Sequence, residues 1–270
     1  MSSDEGRPSV RGGVSGPDVE TRPQRDHYSY TVYADSQTAR TFDDRRFGGP
    51  IGELLAVTQA RVLANFVGAL DHRTILDVGT GTGRAALQFA RAGAQVTAID
   101  ASNEMLAVAR QRAAADRLDI HFLLGDAHAL DFRGRGFDVV VSLRVMMHAR
   151  RWRLCLSELC RAADQLVVFD YPSAHSFAAL DSIFRRVAHA LGIGTEPYRV
   201  FRDRTIADAL ARAGFRVRSI HRQFVLPIAF HKAVGSLRFT EWAENVLERS
   251  GLLKIFGSPV TLVAERCVSS

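Results

Sequence analysis

Apolar positions change their spacing in a regular way along the chain. From Ile51 to Leu70 they recur at three- and four-residue steps (Leu54, Leu55, Val62, Leu63, Phe66, Val67), which predicts an amphipathic helix. Five short apolar runs follow: Thr74–Val78, Gln95–Ile99, Asp119–Leu124, Phe137–Leu143 and Gln165–Phe169. Each has strand length and a nearly continuous apolar character, the pattern of a strand buried on both faces. Between the first three lie Arg84–Ala92 and Asn103–Ala115, which keep helical spacing with arginines and glutamines on the opposite face. Asn103 is the expected N-cap of the second helix, with Glu104 placed where its charge suits the helix dipole. This strand–helix alternation predicts a parallel sheet covered on both sides.

After Phe169 the pattern changes. Residues 173–192 predict an inserted helix (Phe177, Leu180, Ile183, Phe184, Val187), and Ile206–Ala213 a second one that stops at Gly214. Two strand-like runs close the chain, Phe215–Leu226 and Val260–Ala264, with one helical segment expected between them from Val234 to Ile255. Two final strands joined through a helix suit an antiparallel pair. His231, soon after Pro227, is expected in an exposed loop. Residues 1–26 are rich in Gly, Pro, Ser and charge, which predicts a disordered tail. They hold no apolar h-region, so no secretory leader is expected.

Composition narrows the class. With 270 residues, 47% of them hydrophobic, the chain can bury the core of one α/β domain with additions. No apolar stretch approaches the ~20 residues that cross a bilayer. Cys155, Cys160 and Cys267 have the spacing of neither a disulfide framework nor a zinc site, so a cytoplasmic setting is expected. A net charge of +6 raises the question of nucleic acid. The positive charge is dispersed arginine, with Lys232 and Lys254 the only lysines, and no basic stripe interleaved with aromatics appears. Arg150, Arg151 and Arg153 beside Trp152 read either as a solvated helix start or as an attraction for an acidic substrate or anionic lipid.

The chemistry starts at ILDVGTGTGRAAL, residues 75–87, where Gly79, Gly81 and Gly83 leave a strand and open a helix. Glycines let a ligand touch the main chain, and the helix start favours an anion. Asp100, at the end of the second strand, can accept both ribose hydroxyls of an adenosine ligand. So far a nicotinamide dinucleotide and S-adenosylmethionine fit equally, and Gly81-x-Gly83-x-x-Ala86 satisfies the loose dinucleotide pattern. Asp77 tips the balance, because a carboxylate beside the loop suits an ammonium group and repels a pyrophosphate. Asp126, in LLGDAHAL past the third strand, can accept from an adenine amino group.

These segments, with VTAIDASNEML, FDVVVSLRVMMHA and LVVFDYP, resemble the class I S-adenosylmethionine-dependent methyltransferases. The similarity is nearest to the small-molecule branch that includes ubiquinone and menaquinone biosynthesis enzymes, and it covers residues 50–172. It implies an α/β Rossmann-like fold: a seven-stranded sheet of order 3-2-1-4-5-7-6, helices on both faces and helical lid insertions. It also implies S-adenosylmethionine as cofactor. Gly79, Gly81 and Gly83 would line the methionine moiety beside Asp77, and Asp100 would hold the ribose. Ala101 and Met105 would lie against the adenine ring, Asp126 and Ala127 would read its edge, and Leu143 and Arg144 would border the sulfonium. RAADQL, residues 161–166, departs from the glycine-rich turn that many relatives carry there.

The expected organisation is a tail (1–26) followed by one methyltransferase domain. That domain divides into a helical cap (27–70), a cofactor-binding core (71–172) and a substrate lid (173–203 and 231–257). His148, just past the fourth strand, is the candidate general base, with a turn-closing role as the alternative. Tyr28, Tyr30 and Tyr33 are candidates for an aromatic wall over the acceptor, or for anchors of the N-terminal helix. Tyr171 and His175 are candidate acceptor contacts at the edge of the cleft. The partner expected is a small methyl acceptor, apolar or aromatic, with O-methylation favoured and no nucleic acid. A lipid-linked or carrier-bound acceptor is the alternative. From other classes stand an NAD-dependent oxidoreductase and a scaffold that binds the cofactor without catalysis. The chain is expected as a monomer or homodimer without an integral membrane segment, and peripheral lipid contact stays open.

Overall fold

Continuous apolar strands are buried only if both faces of their sheet are covered, and that requirement organises the molecule. The structure is a computed structural model and describes residues 36–132, 136–190, 192 and 198–267. The strands are β1 (Thr74–Val78), β2 (Gln95–Asp100), β3 (Ile120–Leu124), β4 (Phe137–Ser142), β5 (Ala163–Tyr171), β6 (Phe215–Arg222) and β7 (Val260–Arg266). They form one sheet of order β3-β2-β1-β4-β5-β7-β6. β1 pairs parallel with β2 and β4, and β7 runs antiparallel between β5 and β6.

Period-two geometry sends alternate strand residues to two cores. Leu76, Val78, Val140, Val167 and Phe169 enter one, filled by α5 (Trp152–Ala162) and α7 (Asp203–Arg212). Ile75, Val139, Val141 and Val168 enter the other, filled by α2 (Gly49–Val67) and α3 (Arg84–Arg91). Cys155 and Cys160 sit in the first core, and burial pushes both thiols up to about 12, so neither is a thiolate at neutral pH.

Several boundaries differ from the sequence reading. The cap of α4 (Asn103–Ala115) is Ser102, not Asn103. Ser102 has extended backbone, and its Oγ accepts the Met105 N–H at 3.1 Å. A further helix, α1 (Ser36–Phe47), precedes α2; its composition is too polar to show a helical apolar face. β6 stops at Arg222. The single helix expected before β7 is three: α8 (Ile228–Val234), α9 (Leu237–Arg249) and α10 (Leu252–Phe256). Gly235 (φ 68°) and Gly251 (φ 81°) make the breaks, and Ser236 caps α9.

His231 is fully buried rather than in an exposed loop. Its Nε2 meets Glu244 Oε1 at 2.8 Å and its Nδ1 meets Thr240 Oγ1 at 3.0 Å. Glu244 also accepts the N–H groups of Val225 and Leu226, so one polar cluster staples α8 and α9 to the chain leaving β6. The inserted helix α6 (Phe177–Ala190) instead leaves Phe177, Leu180, Phe184 and Val187 exposed.

Two glycines give a paired test. A Cβ on Gly83 (φ 85°) would lie 2.9 Å from the Ala109 Cβ on α4, whereas one on Gly214 (φ 79°) would meet open space. Left-handed backbone alone costs an L-residue ~1–2 kcal/mol, and a core clash ~1–3 more. Gly83→Ala is therefore expected to destabilise by roughly 2–5 kcal/mol and Gly214→Ala by ~1–2, read from urea midpoints. Equal losses would mean that the contact between α3 and α4 is loose.

Candidate active site

The loop after β1 is shaped by three left-handed glycines, Gly79 (φ 73°), Gly81 (φ 56°) and Gly83 (φ 85°). Their surroundings differ. A Cβ on Gly79 would lie 2.2 Å from Val145 Cγ2, so the loop needs glycine to pass the chain leaving β4. Gly81 has nothing within 4 Å on that side and faces the cavity. Gly83 does not line the cavity; its part is the close approach of α3 to α4.

The loop is tied to β2. Both the Gly79 and Thr80 N–H groups donate to the Ile99 carbonyl, at 2.8 and 3.0 Å. Gly81 N–H donates to Asp100 Oδ2 at 2.7 Å, and Ser102 N–H to Asp100 Oδ1 at 2.9 Å. Each carboxylate oxygen has a second lone pair, so Asp100 keeps room for further donors. Asp77 is 2% exposed and accepts the Thr80 hydroxyl at 2.7 Å. Burial, reinforced by the like charge of Asp100 and opposed by the Thr80 hydroxyl, pushes Asp77 from 3.8 up to about 6. Burial raises Asp100 as well, while the N–H groups of Ser102 and Gly81 hold it down. Buried Asp77 and half-buried Asp100, near the ends of the neighbouring strands β1 and β2, form a site whose charge calls for a cation.

Further along the sheet edge, Asp126 Oδ1 accepts the backbone N–H of His128 and lies 2.8 Å from its Nδ1. This orients the His128 ring, whose Nε2 is buried with no hydrogen-bond partner among the described residues. Arg144, just after β4, is left-handed (φ 66°), a conformation that strains a non-glycine residue. Its backbone N–H is held by Asp170, 4% exposed, whose carboxyl burial raises and the Arg144 charge lowers.

These groups surround one cavity of about 510 Å³. Asp77, Gly79, Gly81, Asp100, Ala101 and Met105 line it, as do Asp126 and Ala127 after β3 and Leu143, Arg144 and His148 after β4. Of the residues predicted for the cofactor, Gly83 alone stands outside the lining. Tyr171 is a correction: it is 1% exposed in the core, packs edge-on against Phe201, and donates its hydroxyl to Asp203. Its place as the last residue of a central strand turns it inward. His175 is exposed and does not line the cavity. Tyr28, Tyr30 and Tyr33 lie outside the described residues, as does the 1–26 tail.

Sequence reasoning missed Phe42, Arg46 and Phe47 of α1, Gln59 of α2, and Arg84, all of which line the cavity. The Arg84 guanidinium lies 3.5 Å from the Phe47 ring centroid. TFDDRRF was the only available signal, an arginine pair framed by two phenylalanines.

Residues 75–165 match the family model described as "Methyltransferase domain". The chain is 35% identical over 122 residues to a demethylmenaquinone methyltransferase of Renibacterium salmoninarum, covering 43% of this chain and 50% of that one. It is 31% identical over 154 residues to a ubiquinone biosynthesis O-methyltransferase of Brucella anthropi, covering 54% and 61%. The chain therefore spans about half to three-fifths of the length of these relatives. The structure of magnesium protoporphyrin IX methyltransferase from Synechocystis PCC 6803, with bound S-adenosylhomocysteine, superimposes with a TM-score of 0.61. That likeness spans 87% of this chain and 99% of the other at 20% identity, and it is one of fold.

Asp77→Asn keeps the acceptor for Thr80 and removes a buried charge. It should stabilise the protein without ligand by roughly 1–3 kcal/mol at neutral pH, read from thermal midpoints. Because the folded carboxyl titrates above its ordinary value, the wild-type penalty is full above about 6 and fades towards 3.8. The gain should shrink over the same window; a gain independent of pH would contradict the burial account.

Proposed function

We propose that this chain, which carries the methyltransferase domain on the class I fold, is a methyltransferase that binds S-adenosylmethionine and modifies a small acceptor. The observation that carries this reading is the pair of carboxylates, buried Asp77 and half-buried Asp100, beside the open Gly81 face. A cationic amino-acid end fits beside Asp77, where a pyrophosphate would be repelled. Asp100 has the lone pairs to hold ribose hydroxyls, Ala101 and Met105 offer an apolar wall to a purine, and Asp126 and Ala127 its polar edge.

When bound, S-adenosylmethionine supplies an electrophilic sulfonium methyl. The residues of the chain have to align an acceptor with it and keep water out; orientation is worth ~7–11 kcal/mol. A general base adds ~10²–10⁴-fold. His148, on the cavity wall beside Arg144, is the base for a hydroxyl acceptor. The aromatic faces of Phe42 and Phe47 favour a flat, apolar or aromatic skeleton, and O-methylation is the favoured outcome. Segments 27–70, 173–203 and 231–257 act as cap and lid. In support, α8 and α9 pack on α2, which brings Gln59 to the cavity, and Lys232 Nζ donates to the Arg46 carbonyl at 2.7 Å. A lipid-linked or carrier-bound acceptor is the second reading, favoured by the uncovered apolar stripe of α6. Among the described residues no helix is long and apolar enough to cross a membrane. A cytoplasmic enzyme is part of the proposal.

Calorimetry distinguishes the classes: S-adenosylhomocysteine should bind and NADH should not, and NADH binding alone would overturn the reading. Asp100→Ala should weaken S-adenosylhomocysteine by at least about a hundredfold. His148→Ala should spare that affinity and lower transfer to phenolic acceptors by ~10²–10⁴-fold; unchanged transfer removes His148 from the mechanism. An ammonium group binds the ionised form of Asp77, so affinity should fall as pH drops through about 6, with a proton released on binding there. Affinity constant from pH 7.5 to 5 would place the cation elsewhere.

A further inference from the structure

Beside the cavity opens a small recess. Arg46, Phe47, Gln59 and Arg144 line both, and Asp170, His221 and Gln223 are among the residues of the recess wall. Its volume of about 10 Å³ suits one oxygen-sized group rather than a ring.

Three nitrogens here, Arg46 Nε, His221 Nε2 and Gln223 Nε2, are buried without a hydrogen-bond partner among the described residues. Buried donors in folded proteins are nearly always satisfied, so the Arg46 and Gln223 N–H groups, joined by His221 in its Nε2–H tautomer, mark a place where a ligand oxygen completes the bonding. The charge agrees. Two guanidiniums, Arg46 and Arg144, face one carboxylate, Asp170, which already accepts the Arg144 backbone N–H. Among the described residues neither guanidinium forms an ion pair within 4.0 Å. Burial, then the nearby charge of Arg61, lowers the His221 imidazole, opposed by Glu248. Arg150 and Arg151 add positive charge to the cavity lining.

We propose that the recess receives one oxygen of a carboxylate on the methyl acceptor, so that the enzyme works on an aromatic acid rather than a neutral aromatic. The second oxygen stays in the cavity within the field of Arg46 and Arg144, while the ring lies against Phe42 and Phe47. This rests on the methyltransferase reading and sharpens it: the acceptor is anchored by its acid group, leaving another atom to receive the methyl.

The test uses two flat probes that differ only in charge, 2-naphthoate and 2-naphthamide, titrated into the full chain saturated with S-adenosylhomocysteine. Saturation is measured first; its failure would count against the methyltransferase reading itself. Naphthoate should bind at least about tenfold more tightly than naphthamide. In Gln223→Leu and Arg46→Gln, checked for folding by their thermal midpoints, the ratio should fall to within about threefold. A wild-type ratio near one, including no binding of either probe, overturns the proposal without touching the cofactor assignment. So does a preference that survives both substitutions.

Discussion

Everything at the working end of this sheet depends on how the backbone turns after β1. Gly79, Gly81 and Gly83 are left-handed, and the N–H groups of the first two residues of the loop are spent on the Ile99 carbonyl. That leaves Gly81 N–H to hold Asp100, and it brings the Asp100 carboxylate into the field of Asp77. Among the described residues neither acid has an ion-pair partner within 4.0 Å; Asp77 is buried and Asp100 half-buried. The fold thereby holds an unfavourable arrangement that a cation relieves, which makes ligand binding and local stability opposing demands on the same residues.

The cavity lining carries both charges. Asp77, Asp100 and Asp126 come from the ends of β1 and β2 and the chain after β3, while Arg46 comes from α1, Arg84 from the start of α3, and Arg144, Arg150 and Arg151 from the chain after β4. Both a positively charged donor and a negatively charged acceptor find opposite charge in this lining. Arg144 is left-handed, with its backbone N–H held by Asp170.

The strand positions were legible because buried parallel strands leave long apolar runs that little else produces, while the sheet order came from the resemblance to the class I methyltransferases. The glycine loop and the three aspartates were legible for a similar reason: each lies at a strand end, where sequence position fixes place. What escaped notice follows from the same logic. α1 carries few apolar residues, so Phe42, Arg46 and Phe47 gave no periodic signal, although they form one wall of the cavity. The helices before β7 read as one because Gly235 and Gly251 break them through backbone conformation rather than a change of pattern. Tyr171 and His231 were misplaced for opposite reasons. One ends a central strand with its hydroxyl claimed by Asp203, and the other finds Glu244, thirteen residues on, which no local pattern announces.

The most direct measurement is a crystal structure of the full chain with S-adenosylhomocysteine. The expected result places the amino group on Asp77, both ribose hydroxyls on Asp100, and the purine between Met105 and Asp126. A purine at the Asp77 end, or an amino group bound away from both carboxylates, would contradict the claim that these buried acids exist to hold a cationic methyl donor.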